Sequence, residues 1–317
     1  MSEARVVPAD AAGVRLDKWL AGWPSVGSRE KARQAVQSGK VSVDGARIGP
    51  DGGGAVLGAG ARVEIAWTRP GTNPKATAGR VALTRANVTV LHQDDAIVVV
   101  DKPAGLLTDA ADAAQARDED TLRKRVAAYV GRPVWPAHRL DRDTTGVVVF
   151  AITEAARASL KAQWIARTPE RRYTTIVEGA FPGESGRFAD WMVWDAEERL
   201  QQSCAPDTPD AWFAEADWSV AERFGDRATR LDIALVTGRR NQIRLHAMLA
   251  GHPVVGEIQY REDRTTALVG FTRQALHARR LGLTHPTTGR PVSFEAPLPE
   301  DLARLVARLR AAGRAVR

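Results

Sequence analysis

Residues 138–146 (HRLDRDTTG) bring together the side chains of this chain that are best suited to acid–base or nucleophilic chemistry. A proline precedes the stretch and a glycine ends it, which predicts a loop. The β-branched, apolar run at residues 147–152 follows and is typical of a buried strand. Charged groups beside such a strand are paired or functional, because burying an unpaired charge is costly. Two interpretations follow: a structural ion pair between Asp141 and Arg139, or a carboxylate that takes part in a reaction.

The order H-R-L-D-x-x-T-[S/T]-G resembles the signature of the RluA family of pseudouridine synthases. In that family the aspartate of R-L-D is the catalytic residue, so the resemblance implies that Asp141 is catalytic. Thr145 stands where the family more often has serine, and it keeps the hydroxyl. The family's reaction breaks a carbon–nitrogen bond of uridine, turns the base and forms a carbon–carbon bond. Because this is neither redox chemistry nor hydrolysis, we expect no cofactor and no metal.

A second motif, TGRRNQIRLH at residues 237–246, resembles the family's T-G-R-x-H-Q-I-R-x-H, with Asn241 in place of the first histidine. The resemblance implies that Arg244 pairs with the catalytic aspartate, which must stay ionised in a site shielded from water. Further on, G-H-P-V-V-G-E resembles G-x-P-[I/V]-x-G-D, with Glu257 for aspartate. Whether the carboxylate attacks the sugar, attacks the base or removes the 2′ hydrogen stays open.

Other family elements supply the remaining candidate site residues. Tyr173 lies in a strand pattern that resembles the family's K/R-x-Y strand, which implies that it packs against the target base; the alternative is an ordinary half-buried aromatic. Arg139 is implied to fill the space left by a flipped nucleotide, since the target must leave the RNA stack. Further RNA contacts are expected at His138, Arg239 and Asn241, and Asn241 is also expected to cap the helix that follows it. Lys102, in D-K-P-A-G, is expected to be architectural or to face RNA.

The N-terminal segment of residues 13–66 predicts a small RNA-binding module. Leu16, Trp19 and Leu20 have helical spacing, Ser28 is a helix cap, and a hairpin is predicted around the Asp-Gly turn that follows residues 41–43. The segment is similar to the αL RNA-binding module of the S-four type of small-subunit ribosomal protein. Phosphate contacts are expected from the basic residues of its second helix and exit, namely Arg29, Lys31, Arg33 and Lys40. The alternative is a solvated helical face.

The rest of the sequence sets the domain organisation. Residues 1–12 are expected to be unstructured, residues 67–87 to form a linker, and residues 88–317 to form the catalytic domain. The resemblance implies an α+β fold, with a mixed, largely antiparallel sheet. Residues 183–228 have weak periodicity and fit no element that we can place. His277 and His285 lack the spacing of metal ligands and are interpreted as structural.

Composition limits the function classes. The net charge of +7 favours a polyanionic partner. Cys204 is the only cysteine, which excludes a disulfide framework and a cysteine-based zinc site. The absence of a long apolar run or a signal peptide favours a cytoplasmic protein without a membrane span, and we expect a monomer.

We therefore expect an RNA pseudouridine synthase acting on large-subunit ribosomal RNA, with transfer RNA as an alternative substrate. A non-catalytic ribosome-assembly factor is a second hypothesis. A base-releasing glycosidase is a third, which is disfavoured because only one convincing catalytic carboxylate is present.

Overall fold

The computed structural model describes residues 2–37, 40–48, 54–66, 89–110, 119–196, 200–260 and 271–314. The chain divides into two compact units, residues 1–82 and 83–317. The linker predicted at residues 67–87 lies outside the described residues, so the predicted domain boundaries stay predictions. Within the described ranges, no helix is long and apolar enough to cross a membrane.

The first unit contains the predicted helix pair and strands. Its elements are α1 (Leu16–Ala21), α2 (Arg29–Gln37), β2 (Val41–Val43), β3 (Ala46–Arg47) and β4 (Arg62–Ala66). The Ser28 hydroxyl caps α2 by accepting a hydrogen bond from the Lys31 amide at 3.2 Å, as predicted. Leu16 and Leu20 are fully buried in the core of this unit.

The prediction that residues 1–12 are unstructured is wrong. β1 (Ser2–Val6) pairs antiparallel with β4, and a short 3-10 helix spans Ala9–Ala11. The sheet order is β1-β4-β2-β3. Because the partner of β1 lies about sixty residues further along the chain, the pairing that stabilises this strand leaves no local signal in the sequence.

Three arginines surround a buried carboxylate in this unit. The side chain of Asp17 has no exposed surface, and it accepts hydrogen bonds from Arg15 at 3.2 Å, Arg29 at 3.4 Å and Arg33 at 3.3 Å. Burial acts to raise the pKa of Asp17, but the three guanidinium groups lower it to about 2. The arginines themselves stay more than half exposed. Asp17 therefore holds Arg29 and Arg33 at the surface, where the sequence predicts phosphate contacts.

We expect Asp17→Asn to destabilise the first unit by about 1–3 kcal/mol, because charged hydrogen bonds are lost and three cations are left together. Hydrogen exchange of the full chain, followed by mass spectrometry, should show faster exchange in peptides from residues 29–47. Asp10→Asn, at an exposed acid of the same unit, is the control. Because the folded pKa of Asp17 lies below its ordinary value of 3.8, this stabilisation is present above about pH 4 and is lost as the pH falls towards 2. Equal protection in Asp17→Asn and the native chain would contradict the assignment.

The second unit is built on one large sheet, of which eleven strands fall in the described ranges, with the order β11-β10-β12-β13-β9-β14-β8-β6-β5 and with β15 beside β14 and β7 beside β8. Neighbouring strands are antiparallel, except for the parallel pair β8–β14. The predicted α+β class with a mixed, largely antiparallel sheet is confirmed. The strands are β5 (Thr89–Gln93), β6 (Ile97–Lys102), β7 (Trp135–Pro136), β8 (Thr145–Ala151), β9 (Glu170–Glu178), β10 (Ser185–Asp195), β11 (Leu200–Ser203), β12 (Trp212–Phe224), β13 (Ala228–Leu235), β14 (Leu276–Thr284) and β15 (Pro291–Glu295).

Helices cover this sheet with their apolar faces. They are α3 (Leu122–Val130), α4 (Glu154–Ala166), α5 (Gln242–Leu249) and α6 (Glu300–Arg314). The Thr153 hydroxyl caps α4 by accepting a hydrogen bond from the Ala156 amide at 3.2 Å. The apolar side of α6 packs into the core beside β12, through Leu302, Leu305, Val306 and Leu309.

Residues 183–228, which the sequence did not place, form the long strands β10 and β12 and the shorter β11. One face of β12 is buried at Ala214 and Ala216, whereas Glu215 and Asp217 lie on the other face. The alternation of a strand is therefore present. It was weak in the sequence because alanines, rather than large β-branched residues, occupy the buried positions.

Candidate active site

A buried lysine holds the loop of residues 138–146 in place. Lys102 lies at the end of β6 and has no exposed surface. Its ammonium donates to the carbonyls of Arg142 at 2.7 Å, Thr144 at 2.9 Å and Pro103 at 2.8 Å. Burial lowers the pKa of Lys102 to about 7, and the carboxylates of the two loop aspartates oppose that shift. Three carbonyl acceptors match the three donors of the charged form, which fits the predicted architectural role.

Two further contacts fix the same loop. The Thr108 hydroxyl bonds both the amide and the carbonyl of Leu140, each at 3.0 Å. His277 on β14 bonds the Thr145 hydroxyl through Nδ1 at 2.9 Å and the Ala296 carbonyl through Nε2 at 3.2 Å. Since a carbonyl only accepts, Nε2 carries the proton and Nδ1 accepts from Thr145. His277 is thus structural, as predicted.

Gly146 allows β8 to approach β14 closely. Its φ is +117°, and a Cβ there would lie 2.1 Å from the Ala278 carbonyl oxygen.

We expect Gly146→Ala to destabilise the second unit by about 3 kcal/mol, through backbone strain and displacement of β14. Urea denaturation of the full chain measures the loss. Gly289→Ala is the control, because that glycine also has a positive φ but has open space around it. Equal losses in the two variants would show that strain alone, and not the approach to β14, sets the cost.

Asp141 and Arg244 meet although 103 residues separate them. The loop carries Asp141, whose side chain is 27% exposed, and α5 presents Arg244, whose side chain is 7% exposed. Arg244 Nη1 donates to Asp141 Oδ2 at 3.2 Å. The expected pairing of these side chains is therefore present, through one hydrogen bond. The partly exposed side chain of Asp141 stays accessible to a ligand.

The rest of the Arg244 guanidinium is held by Glu257. Its Nε and Nη2 donate to the two carboxylate oxygens at 2.6 and 2.8 Å, and Nη2 also donates to Gln259 at 2.9 Å. Burial would favour neutral groups, but their contact lowers the pKa of Glu257 and raises that of Arg244, so both are charged. The sequence alone shows Glu257 only as a departure from the family's aspartate. The signal for its role was its place in a motif close after Arg244.

Tyr173 lies on β9 and packs against two hydrophobic clusters of the second unit, one of which includes Leu140 of the active-site loop. Burial raises the pKa of its phenol to about 12, the charge of Arg171 lowers it, and the charge of Asp141 raises it. The phenol is thus neutral and close enough to Asp141 to feel its charge. Its predicted contact with the target base stays a prediction.

Asn241 begins α5, but its side chain does not cap the helix, so the predicted capping is wrong. It has a positive φ of 54° and hydrogen bonds the Tyr260 phenol instead. The Gln242 side chain bonds the turn of residues 237–241: its Oε1 accepts from the Arg239 amide at 2.9 Å and the Thr237 hydroxyl at 2.8 Å. Gln242 thus holds the turn that precedes α5 and does not cap the helix.

The other predicted RNA contacts differ in their placement. Arg139 is exposed and has no ion-pair partner in the described part of the chain. His138 instead stacks on Trp164, with ring centroids 5.1 Å apart. Burial and the charge of Arg171 lower the pKa of His138 to about 3, so the ring is neutral and packed. In the first unit Lys31 is exposed, like Arg29 and Arg33, whereas Lys40 is half-buried.

A cluster of two histidines and an aspartate has ligand atoms close enough for a metal: His92, Asp94 and His285. The backbone amides of Thr287 and Thr288 donate to Nδ1 of His285, at 3.2 and 3.1 Å. The proton of that ring is therefore on Nε2, which donates to Asp94 at 2.8 Å. Because a metal ligand needs a free lone pair on Nε2, the bonds fit the structural role predicted for His285.

Comparisons with known proteins agree with this geometry. Residues 96–249 match the family described as RNA pseudouridylate synthase, and residues 14–51 match the S4 domain. The chain is 32% identical over 308 residues to a Bacillus subtilis protein named uncharacterized RNA pseudouridine synthase YlyB, covering 94% of this chain and 95% of that one. It is 35% identical over 322 residues to the ribosomal large subunit pseudouridine synthase D of Xanthomonas campestris, covering 96% and 92%.

Two further similarities cover about two thirds and three quarters of the chain. The dual-specificity RNA pseudouridine synthase RluA of Haemophilus influenzae is 36% identical over 207 residues, covering 65% of this chain and 91% of that one. The solved structure of human RNA pseudouridylate synthase domain containing 4 superposes with a TM-score of 0.58 at 22% identity, covering 74% and 95%, which shows a shared fold. The chain thus belongs to the RluA family of RNA pseudouridine synthases, which are isomerases, and carries an N-terminal S4 domain.

Proposed function

We propose that this enzyme converts specific uridines of large-subunit ribosomal RNA to pseudouridine in the cytoplasm. The relatives named ribosomal large subunit pseudouridine synthase D, from Xanthomonas campestris and Pseudomonas aeruginosa, support this substrate because they align over nearly the whole chain. The S4 domain also supports it, since its exposed basic helix suits RNA phosphates. The alternative is transfer RNA, or both RNAs, for which the relative named dual-specificity gives a reason.

In the proposed mechanism Asp141 is the catalytic carboxylate. The observation that carries the assignment is the ion pair of Asp141 with the buried Arg244, on a carboxylate that stays 27% exposed. Arg244 stabilises the negative charge and fixes the orientation of the carboxylate, and Glu257 in turn fixes Arg244. The reaction then needs only the residues of this chain and the uridine, with no cofactor or metal.

The flipped uridine is held by stacking in this proposal. Tyr173 contacts the base, which is worth about 1–3 kcal/mol for a stacked base. Arg139, which is exposed and unpaired among the described residues, occupies the space that the nucleotide leaves. Arg239 contacts the RNA beside the site, and Asn241 supports Tyr260 rather than the RNA. We do not assign a contact to His138, because its ring is packed against Trp164.

The domain division completes the proposal. Residues 13–66 form the S4-like RNA-binding domain, extended by β1, and residues 88–317 form the catalytic domain after a linker at residues 67–87. In the first domain, phosphate contacts come from Arg29, Lys31, Arg33 and Lys40, the first and third of which Asp17 orients.

Three measurements test the function. Release of tritium from uridine labelled at carbon 5 reports the reaction, and chromatography for free uracil tests the glycosidase hypothesis. Carbodiimide treatment and primer extension, applied to both RNAs from a strain lacking the gene, map the missing pseudouridines. We expect losses in large-subunit ribosomal RNA. Losses confined to transfer RNA would overturn the substrate assignment, and no tritium release from either RNA would favour a non-catalytic assembly factor.

A further inference from the structure

Two tryptophans of the strands β10 and β12 carry arginines stacked on their rings. The guanidinium of Arg239 lies 4.5 Å from the ring centre of Trp212, and that of Arg240 lies 3.9 Å from the ring centre of Trp194. Trp212 is 56% exposed and Arg240 is exposed. We call these four residues the arginine–indole surface.

The pairing of β10 with β12 puts both indoles on one face of the sheet. Met192 is paired with Trp212, and Trp194 follows Met192 by two residues, so the three side chains point the same way. Diagonal neighbours of this kind lie about 7–8 Å apart. The two stacks are therefore side by side. Trp191 and Phe213 pack together on the opposite face, with ring centres 5.5 Å apart.

The two arginines keep unused hydrogen-bonding capacity. Neither forms an ion pair with any carboxylate in the part of the chain that the structure describes. The Nε of Arg239 is buried without a partner, and burial together with the charge of Arg167 lowers the pKa of its guanidinium. A nearby anion would relieve that unfavourable concentration of positive charge.

The surface is rigidly joined to the active-site helix. Gln242, in the first turn of α5, donates to the Glu215 carbonyl on β12 at 3.0 Å, and the Glu215 amide donates to the Thr237 hydroxyl at 2.8 Å. These bonds fix the loop that carries Arg239 and Arg240 to the strand that carries Trp212. The same helix presents Arg244 to Asp141. A strand of RNA bound here thus lies on the element that shapes the active site.

We propose that the arginine–indole surface binds an unpaired RNA segment next to the target uridine, with bases stacked on the indole and guanidinium planes and phosphates on the free guanidinium donors. This rests on the proposed function, in which RNA is the substrate. Stacked Arg and Trp planes accept bases of any sequence. A duplex keeps its bases paired and stacked on each other, so it does not offer them to such a surface.

The test is binding of the full-length protein to a fluorescein-labelled oligouridylate of about ten nucleotides and to a blunt RNA duplex of similar length, measured by anisotropy. We expect Trp212→Ala to weaken oligouridylate binding by at least about fivefold and to leave duplex binding within about twofold. Arg240→Gln should reduce the slope of log K against log salt for the oligouridylate by about 0.7.

Phe213→Ala is the matched control, since Phe213 is the next residue on β12, is 39% exposed and faces the other way. It should bind both RNAs like the native protein. Unchanged oligouridylate binding in Trp212→Ala, or an equal loss in Phe213→Ala, would overturn the proposal. Binding is measured without turnover, so the result is independent of pseudouridine formation. Conversely, the tritium assay tests pseudouridine formation and does not depend on whether the arginine–indole surface binds RNA.

Discussion

Asp141→Asn should lower the rate of pseudouridine formation by at least about 10⁴-fold, the scale of loss when a residue that performs the chemistry is removed. Asparagine has nearly the shape of aspartate, and its amide oxygen can still accept from Arg244. It has no negative charge, however, and is neither a nucleophile nor a base of useful strength. Single-turnover tritium release under saturating enzyme measures the chemical step, and RNA binding of the same variant is expected to match that of the native protein.

Asp143→Asn is the control for this prediction. Asp143 lies two residues further along the same loop and is also half-buried, but it makes no contact with Arg244. The neighbouring carboxylate should therefore be dispensable for the reaction. Turnover retained in Asp141→Asn would remove Asp141 from its role, and an equal loss in Asp143→Asn would show that the loop's charge, rather than one carboxylate, is what matters.

The pairing of Asp141 with Arg244 could be predicted because both lie in ordered motifs whose resemblance to a family carries spatial information. The residues that support the pair could not be predicted in the same way. Glu257 is a single letter in a motif, and its hydrogen bonds to Arg244 depend on a fold that brings residue 257 beside α5. The sequence around each residue does not indicate contacts that form only when distant segments fold together.

The largest gap in the sequence-based view was residues 183–228, which form long strands. The strand β12 buries alanines and exposes Trp212 and Phe213, so its apolar residues do not mark the buried face. Exposed aromatics of this kind obscure the alternation of apolar and polar residues, because they are apolar but lie at the surface. The arginine–indole surface is built from this segment and from the family's T-G-R motif. Neither part alone indicated it.

Arg244→Leu is expected to destabilise the second unit by about 3–5 kcal/mol, besides abolishing activity, because Glu257 would be left buried with its charge unpaired. Arg244→Leu combined with Glu257→Gln removes that charge and keeps an acceptor for the Gln259 amide, which bonds Glu257 at 2.7 Å. The double variant should recover at least about 2 kcal/mol. It should remain inactive, because Asp141 still lacks its guanidinium.

The pH dependence of unfolding gives this prediction its sharpest form. In the native protein the pKa of Glu257 lies below its ordinary value of 4.5, so the folded state binds fewer protons and stability rises as the pH increases through 4.5. In Arg244→Leu the contribution of Arg244 is lost, and burial, the largest influence on this carboxyl, is opposed only by the backbone amides of Gln259 and Tyr260. We expect the pKa to rise above 4.5, so stability should fall as the pH increases above 4.5. The dependence of the unfolding free energy on pH is measured by urea denaturation between about pH 4 and 7, with unfolding monitored by hydrogen exchange of peptides from residues 242–260. The double variant should show neither the native rise of stability with pH nor the fall expected in Arg244→Leu.

If stability in Arg244→Leu rose with pH as in the native protein, Glu257 would not depend on Arg244 for its charge. If the double variant regained turnover, Arg244 would serve the fold alone, and the negative charge of Asp141 would have to be stabilised by another group.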